Sequence, residues 1–204
     1  MSYVQLDRSL LLAKGGERIC YIHPNDNTKI IKILYTKGAH NNQNELEYIY
    51  YEYLNKYNTD LSSISKCYDY IDTNKGKGLV FERIMDFDGK PTRSFRYLIA
   101  NKLLPYDVQK QLILELKEYL EKNLILFVDT SLTNIFCKRI EENKYKLIII
   151  DGLGAKRLGM KFWLYRNSKL YTKYKIKRQW DKFMVMYKKD IKRIKLGTMP
   201  MHRL

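Results

Sequence analysis

Alternating apolar and polar positions in the first part of the chain predict β-strands. Five short apolar-rich runs are bounded by Gly, Pro, Asn or Asp, the residues that commonly terminate strands. They are residues 9–13, 18–23, 29–35, 67–71 and 79–84. Residues 41–57 separate the third run from the fourth and have apolar side chains at helical spacing. These are Leu46, Ile49, Tyr50, Tyr53 and Leu54. The pattern therefore predicts an antiparallel sheet with one helix inserted after its third strand.

Helical periodicity dominates the remainder of the chain. Residues 107–123 follow Pro105 and predict a long helix, and residues 179–195 predict a second one with Trp180 and Phe183 on its apolar stripe. A hairpin is predicted from residues 135–139 and 146–150, whereas residues 92–104 are weakly patterned and predict no element. The predicted fold class is α+β and bilobal. Its N-terminal lobe, residues 1–84, is built on the sheet, and its reduced, mostly helical C-terminal lobe covers residues 85–204.

Composition excludes several classes of protein. An apolar content of 45% is ordinary for a globular chain of 204 residues, and no apolar run is long enough to span a bilayer. The three cysteines are isolated, so they predict neither a disulfide framework nor a zinc cluster. The N-terminus does not resemble a signal peptide. We therefore expect a cytoplasmic protein.

The positive charge is concentrated at one end of the chain. The net charge is +16, and residues 156–204 contain 16 Lys or Arg against two Asp. A block of this kind predicts attraction to an anionic partner or membrane surface, so peripheral contact with the inner membrane is one expectation. A solvated basic surface explains the pattern equally well. Binding to nucleic acid is the weakest interpretation, because no readout motif accompanies the charge.

Three polar residues in the second half of the chain carry the strongest chemical signal. Asp129 precedes Asn134 by five positions, and Asp151 ends an apolar run. Kinase-type phosphoryl transfer uses one carboxylate to accept the proton of the attacking hydroxyl, and an amide with a second carboxylate to hold Mg²⁺. We predict that Asp129 orients the acceptor and that Asn134 and Asp151 are metal ligands. The alternative is that these residues only form turns.

The first lobe contains candidates for contacts with the phosphates of ATP. Lys32 lies in the third predicted strand, where a kinase requires a rigidly held Lys. Its predicted partner on the following helix is Glu47, with Glu45 in reserve. Gly15 and Gly16 allow close approach of the backbone to phosphate, although a plain hairpin turn fits them almost as well.

The connection between the two predicted lobes supplies candidate contacts with adenine. Glu82 and Ile84 lie there, and backbone groups at that position meet the adenine ring in kinases. ATP and Mg²⁺ are therefore the predicted nucleotide and cofactor. Asp86 and Asp88, which follow directly, are candidates for contacts with ribose or acceptor. Because they precede the Asp129 loop, they are not predicted as the metal site.

Two unusual sequence motifs suggest a relationship to a known protein family. They are Cys20-Tyr21-Ile22-His23-Pro24 and Asp86-Phe87-Asp88-Gly89-Lys90-Pro91. Over about residues 8–195 the chain resembles the YrbL family, the PhoP regulatory network proteins of bacteria, which look like divergent members of the protein-kinase fold. The resemblance implies a kinase-like fold and expression under envelope or cation stress. It also makes a sugar or the lipopolysaccharide core a more reasonable acceptor than a protein.

Departures from the protein-kinase pattern keep an alternative open. Phe127 and Val128 stand where His-Arg precedes the catalytic Asp, and Ser131 stands where most protein kinases have a Lys. The first interpretation is a phosphotransferase acting on a hydroxyl acceptor. The second is a pseudokinase or regulatory module that binds nucleotide or an anionic partner without catalysis.

Overall fold

The computed structural model describes residues 3–35 and 43–199 and shows an α+β protein. The six-stranded sheet contains β1 (Tyr3–Val4), β2 (Leu11–Lys14), β3 (Arg18–His23), β4 (Asp26–Leu34), β5 (Cys67–Thr73) and β6 (Gly76–Glu82). The helices are α1 (Gln43–Lys56), α2 (Phe95–Ala100), α3 (Tyr106–Asn123), α4 (Met160–Asn167) and α5 (Lys169–Lys195). A hairpin of β7 (Ile135–Glu141) and β8 (Lys144–Ile149) follows α3. A sheet-rich N-terminal region and a helical C-terminal region are compatible with the predicted bilobal fold.

Strand β4 is one of the two central strands of the sheet. The strand order is β1-β5-β6-β4-β3-β2, and Lys32 on β4 is opposite Cys20 on β3 and Leu79 on β6. Because side chains alternate across a strand, Ile31 and Ile33 point away from Lys32. They belong to a small apolar core on the outer face of the sheet. Its other members are Val4, Leu6, Tyr21, Ile71 and Val80. Lys32 therefore faces the opposite side, where the candidate site lies.

Helix α1 packs its buried face against the main core. The buried residues are Asn44, Leu46, Glu47, Tyr50, Tyr51 and Leu54. Tyr50 links the helix to the rest of the molecule, because its hydroxyl accepts a hydrogen bond of 2.9 Å from the backbone N–H of Leu126. The pattern correctly predicted Leu46, Tyr50 and Leu54. Tyr51 is buried although it was not predicted, since the helix is covered on two sides.

The C-terminal region is organised around α5. Its apolar stripe is buried at Trp180, Phe183 and Tyr187, with Phe183 0% exposed, whereas Ile191 and Ile194 are half-buried. An ion pair of 2.7 Å between Arg96 and the buried Asp190 fastens α5 to α2. The stripe thus belongs to the core, and most of the lysines of the helix point to solvent.

Several predicted boundaries were wrong for local reasons. The strand predicted at residues 9–13 begins at Leu11, because Asp7 caps a short 3-10 turn, Arg8–Leu10, through its side chain. The weakly patterned residues 92–104 contain α2, whose N-terminus is capped by the hydroxyl of Ser94. The C-terminal helix begins ten residues before position 179, at Lys169, where Ser168 caps it. Helix α4 was missed.

The two edges of the sheet are different. At one edge β1 pairs in parallel with β5. Just after β1, the side chain of Asn74 accepts a hydrogen bond from the N–H of Leu6 and donates one to its carbonyl. At the other edge β2 exposes Leu11 and Leu12. Across residues 3–35 and 43–199, no helix combines the length and apolar character that crossing a bilayer requires.

Candidate functional site

Four charged side chains form a compact cluster between the sheet, α1 and the segment after β8. Arg18 approaches Glu47 and Asp151 at 2.6 Å each, and Lys32 lies 3.6 Å from Glu47 and 3.9 Å from Asp151. The cluster, called here the charge quartet, has no net charge. Arg18, Lys32 and Glu47 are almost completely buried. A buried ion pair loses about 3–5 kcal/mol when one partner is removed, so each member depends on the others.

Lys32 is held by contacts on several sides. Its Nζ donates a 3.0 Å hydrogen bond to the carbonyl of Ile150 and lies 4.0 Å from the centre of the Phe81 ring. Asn44 supports the quartet from α1, because its side chain donates to the carbonyl of Lys32 and accepts from Arg18. The ammonium group is therefore fixed on a central strand beside Asp151.

The local charges shift the proton affinities of the quartet. Burial alone would raise the pKa of Asp151, but the positive charges of Lys32 and Arg18 hold it well below its usual range. Burial raises the pKa of Glu47, and the charges of Arg18 and Lys32 act in the opposite direction. Although burial opposes its charge, Arg18 has a raised pKa because Glu47 and Asp151 stabilise the guanidinium.

Asp129 and Asn134 meet in a short, internally bonded loop. The side-chain amide of Asn134 donates to Asp129 Oδ2 at 2.9 Å and to the Asp129 carbonyl at 3.1 Å. Ser131 caps the 3-10 turn Leu132–Asn134, and its backbone N–H donates to the carbonyl of Asp129. These bonds fix one oxygen of the Asp129 carboxylate, while the residue itself stays exposed to solvent.

Backbone pairing sets the spacing between Asp129 and Asp151. Phe127 and Leu153 form an isolated antiparallel bridge. The carbonyl of Gly152 accepts from the backbone N–H groups of Val128 at 2.7 Å and Asp129 at 3.1 Å. Gly152 has a φ of +81°, and a Cβ there would lie 2.7 Å from the Cβ of Asp129. Glycine is thus required both by conformation and by close approach.

Cavities connect the predicted site residues into one cleft. A cavity of 430 Å³ is lined by Lys32, Asn134 and Asp151. A second, of 760 Å³, shares Asn134 and Asp151 with the first and adds Arg18 and Asp129. A third, of 1020 Å³, shares Asp129 with the second. Because the second and third cavities share Asp129, this residue lies at the boundary between them.

Of the remaining predicted site residues, four line the same cleft, whereas Glu47 and Glu45 do not. Glu82 and Ile84 line the first cavity, and Gly15 and Gly16 line the second. The N–H of Gly15 is used within the turn, where it donates to the carbonyl of Arg18. Glu45, the reserve partner of Lys32, is exposed on the opposite side of α1 from Glu47.

Asp86 and Asp88 form ion pairs outside the cleft. Both carboxylates contact Arg139, at 3.1 and 2.5 Å. Asp86 also accepts a hydrogen bond from the hydroxyl of Thr92. Arg139 belongs to β7, so the two carboxylates join their loop to the hairpin. Neither lines the three connected cavities, which argues against the predicted contact with ribose or acceptor.

Arg18 is the site residue that sequence reasoning missed. The pattern predicts it only as the first residue of the strand at residues 18–23. The available signal was its position two residues before Cys20, which puts the two side chains on the same face of β3. Because Cys20 is opposite Lys32 on β4, this is the face of the sheet that carries Lys32. Recognising it required knowing that two carboxylates, from α1 and from the end of β8, converge there.

The donor atoms of Asn134 and Asp151 suit Mg²⁺. An amide oxygen and a carboxylate are hard oxygen ligands, and Mg²⁺ is usually bound by one or two carboxylates together with phosphate and water. Within the described residues, no group of three or more His, Cys, Asp or Glu could hold a metal ion by itself. The set therefore fits a metal that arrives with phosphate better than a permanently bound one.

Comparisons with known proteins identify relatives over most of the chain. The model of the family described as PhoP regulatory network protein YrbL matches residues 4–188. The "Uncharacterized protein YrbL" of Escherichia coli (strain K12) is 31% identical over 185 residues, which cover 89% of this chain and 86% of the relative. The protein of the same description from Shigella flexneri matches with the same identity and coverage.

Proposed function

For this chain, which belongs to the YrbL family of PhoP regulatory network proteins, we propose a kinase-type transfer of the terminal phosphoryl group of ATP to a hydroxyl group. The observation that carries the proposal is the connected cleft, in which Lys32, Asp129, Asn134 and Asp151 line cavities that share residues. These are the residue types that phosphoryl transfer requires, in the chain order found in protein kinases.

Each residue has a defined part in this reaction. In the transfer, the acceptor oxygen forms a bond to the terminal phosphorus, and the bond from that phosphorus to the bridging oxygen breaks, leaving ADP. Asp129 accepts the hydroxyl proton, since Asn134 leaves the second oxygen of its carboxylate available. Lys32 contacts phosphate oxygens from its fixed position on β4. When bound, Mg²⁺ would neutralise phosphate charge, held by Asn134 and Asp151.

A sugar hydroxyl suits the site better than a hydroxyl on a protein. Only residues 152–159 separate Asp151 from α4, which leaves little chain to form a platform for a peptide. We place the reaction in the cytoplasm, where ATP is available, with peripheral contact at the inner membrane through the basic residues of 156–204.

Thermal unfolding with ATP, with and without Mg²⁺, tests the proposal. We expect ATP with Mg²⁺ to raise the melting temperature, because a ligand that binds the native state stabilises it. Asp151→Asn should remove the Mg²⁺-dependent part of this rise. Asp69→Asn, the same change at an exposed position of β5, is the matched control and should behave as the wild type. Asp129→Asn should retain this rise in melting temperature, but it should no longer convert ATP slowly to ADP.

A regulatory nucleotide-binding module is the second candidate function. It is favoured by the 2.6 Å contact between Arg18 and Asp151, which puts a cation on the carboxylate that a metal would need. This candidate predicts an equal ATP-induced rise in wild type and Asp151→Asn, without Mg²⁺ dependence and without ADP formation. These three results together would replace the phosphotransferase proposal.

A further inference from the structure

The third cavity is a groove between α4, α5 and the segment that follows Asp151. Five cations line it: Lys156, Arg157, Lys161, Lys175 and Lys182. It is called here the basic groove. Its volume of 1020 Å³ is in the range of cavities that hold small organic ligands. Asp129 is also among the residues that line it.

No described carboxylate forms an ion pair with the cations of the basic groove. Asp129 and Asp181 are the carboxylates that line it, and none of the five cations forms an ion pair within the described part of the chain. Lys175 is half-buried over the Tyr165 ring, and its pKa is lowered by desolvation and by the neighbouring charges of Arg178, Lys182 and Lys161. Like charges held this close repel one another, and an anion between them would relieve the repulsion.

A buried acceptor beside the groove suggests a second feature of the ligand. Gln179 lines both the groove and a smaller cavity of 10 Å³ with mostly apolar walls. It is 7% exposed, and its Oε1 has no hydrogen-bond partner among the described residues. Buried polar atoms are nearly always paired, and an unpaired one calls for an explanation. Because Oε1 can only accept, the group that satisfies it must be a donor, such as a hydroxyl. The lysines attract anions, whereas this atom requires a hydroxyl or amine.

The rim of the groove is apolar. Met160 and Val185, which line it, are 76% and 66% exposed. Apolar side chains beside cations suit a ligand that has carbon faces as well as anionic groups. An inorganic anion alone would leave both the rim and Gln179 without contacts.

We propose that the basic groove binds a phosphate-bearing polyol and that this ligand is the acceptor, a role that rests on the function proposed above. The phosphate lies among Lys161, Lys175 and Lys182. One hydroxyl donates to Oε1 of Gln179. Another hydroxyl extends toward Asp129, which can accept its proton.

Calorimetric titration with glucose 6-phosphate, without ATP, tests the groove directly. We expect binding that weakens as salt screens the lysines. The double variant Lys161→Ala/Lys182→Ala removes two exposed cations of the groove and should weaken binding about tenfold or more, since charge-assisted contacts to phosphate are strong ones. The control Lys188→Ala/Lys189→Ala removes two exposed cations of α5 outside the groove and should leave the affinity within about twofold, because distant exposed charges are largely screened.

The hydroxyl contact has a separate test. Gln179→Met keeps the length of the side chain and removes the acceptor, so it should weaken binding of glucose 6-phosphate and leave binding of inorganic phosphate unchanged. The same variant should unfold at a higher temperature, because a buried unpaired acceptor is gone. Equal losses for both probes, or equal affinity of wild type for both, would overturn the hydroxyl part of the proposal.

The outcome also separates this proposal from the phosphotransferase. Asp129→Asn should still bind glucose 6-phosphate, because the lysines hold the phosphate, but it should no longer form ADP. Binding without ADP formation in any condition would retain the groove and reject the enzyme. ADP formation without binding of phosphorylated sugars would overturn the proposed ligand of the basic groove. Equal losses of affinity in the groove variant and the control variant would also overturn it.

A lipid headgroup and a soluble sugar phosphate present the same chemistry. Vesicles containing phosphatidylglycerol, compared with phosphatidylcholine vesicles, distinguish the two sources. The lipid is the source if the protein is retained on the anionic vesicles and glucose 6-phosphate displaces it. Lys161→Ala/Lys182→Ala should then reduce this retention more than the control variant does. Binding of the sugar phosphate without such displacement assigns the soluble source.

Discussion

Gly152 shows how strongly one residue can constrain the candidate site. Its backbone conformation is left-handed, and its α-carbon lies against the side chain of Asp129. An alanine would therefore meet two separate obstacles, the steric cost of the conformation and a collision with Asp129. The second obstacle falls on the residue proposed to accept the hydroxyl proton.

Gly152→Ala should lower the free energy of unfolding by about 2 kcal/mol or more, since the left-handed conformation alone costs roughly 1–2 kcal/mol. Gly89→Ala is the matched control, because Gly89 has a similar φ of +76° but open space around the added methyl group. Chemical denaturation measures both variants. If Gly152→Ala lowers the free energy of unfolding no more than Gly89→Ala does, the side chain of Asp129 moves aside without cost. A loss of ADP formation only in Gly152→Ala is also expected.

Among individual residues, the sequence predicts those whose role follows from the order of motif residues along the chain. Asp129, Asn134 and Asp151 stand in a recognisable order, and Lys32 lies on a strand with a distinctive pattern. Arg18 could not be predicted, because its importance depends on the convergence of Glu47 and Asp151 from distant parts of the chain. The unpaired oxygen of Gln179 was hidden for the same reason, since burial and partners are properties of the packed structure.

Helix α5 is the element on which the C-terminal region depends. Its stripe contributes Trp180, Phe183 and Tyr187 to the main core, and the ring of Tyr187 stacks on that of Phe95. The Tyr187 hydroxyl also donates to Gln109 on α3. The helix thus joins α2 and α3 while presenting Gln179 and Lys182 to the basic groove.

Phe183→Ala should lower the free energy of unfolding by about 3–5 kcal/mol, because a large, fully buried side chain leaves a cavity. Val185→Ala, two residues along the same helix at an exposed position, should change it by less than about 0.5 kcal/mol. Urea denaturation measures both values. Similar small losses at the two positions would mean that α5 is not part of the cooperative core.

Elements with strong periodicity were predicted, and elements defined by their caps were not. The stripes of α1 and α3 and the turns of the sheet are visible as patterns. Helix α2 has only six residues, too few for a pattern, and depends on Ser94 and on packing against α5. The extension of α5 to Lys169 is rich in lysine, so its polar surface concealed its helical character.

In the whole molecule, the charge quartet fastens the sheet to the C-terminal region. Arg18 and Lys32 belong to the sheet, whereas Asp151 and the carbonyl of Ile150 follow β8. Global stability should therefore depend on the ionisation of Asp151. Because its folded-state pKa is depressed, the ionised form stabilises the fold above the unfolded-state value, and this contribution is lost as pH falls.

Asp151→Asn should be less stable than the wild type at neutral pH, because the two cations keep only Glu47 as a partner. The difference should shrink as pH falls below about 4, near the pKa of Asp in an unfolded chain. Thermal unfolding across this range measures it, with Asp69→Asn expected to follow the wild type. A difference that stays constant down to pH ~2 would show that the charge of Asp151 does not contribute to the linkage.

The short strand β1 has a consequence for handling the protein. A sheet edge with unpaired backbone groups can pair with another molecule. Here β1 covers the last two residues of β5, Asp72 and Thr73, and the side chain of Asn74 then holds the backbone of Leu6. A tag or truncation that displaces Tyr3–Val4 would uncover this edge and invite intermolecular strand pairing. An affinity tag therefore belongs at the other terminus.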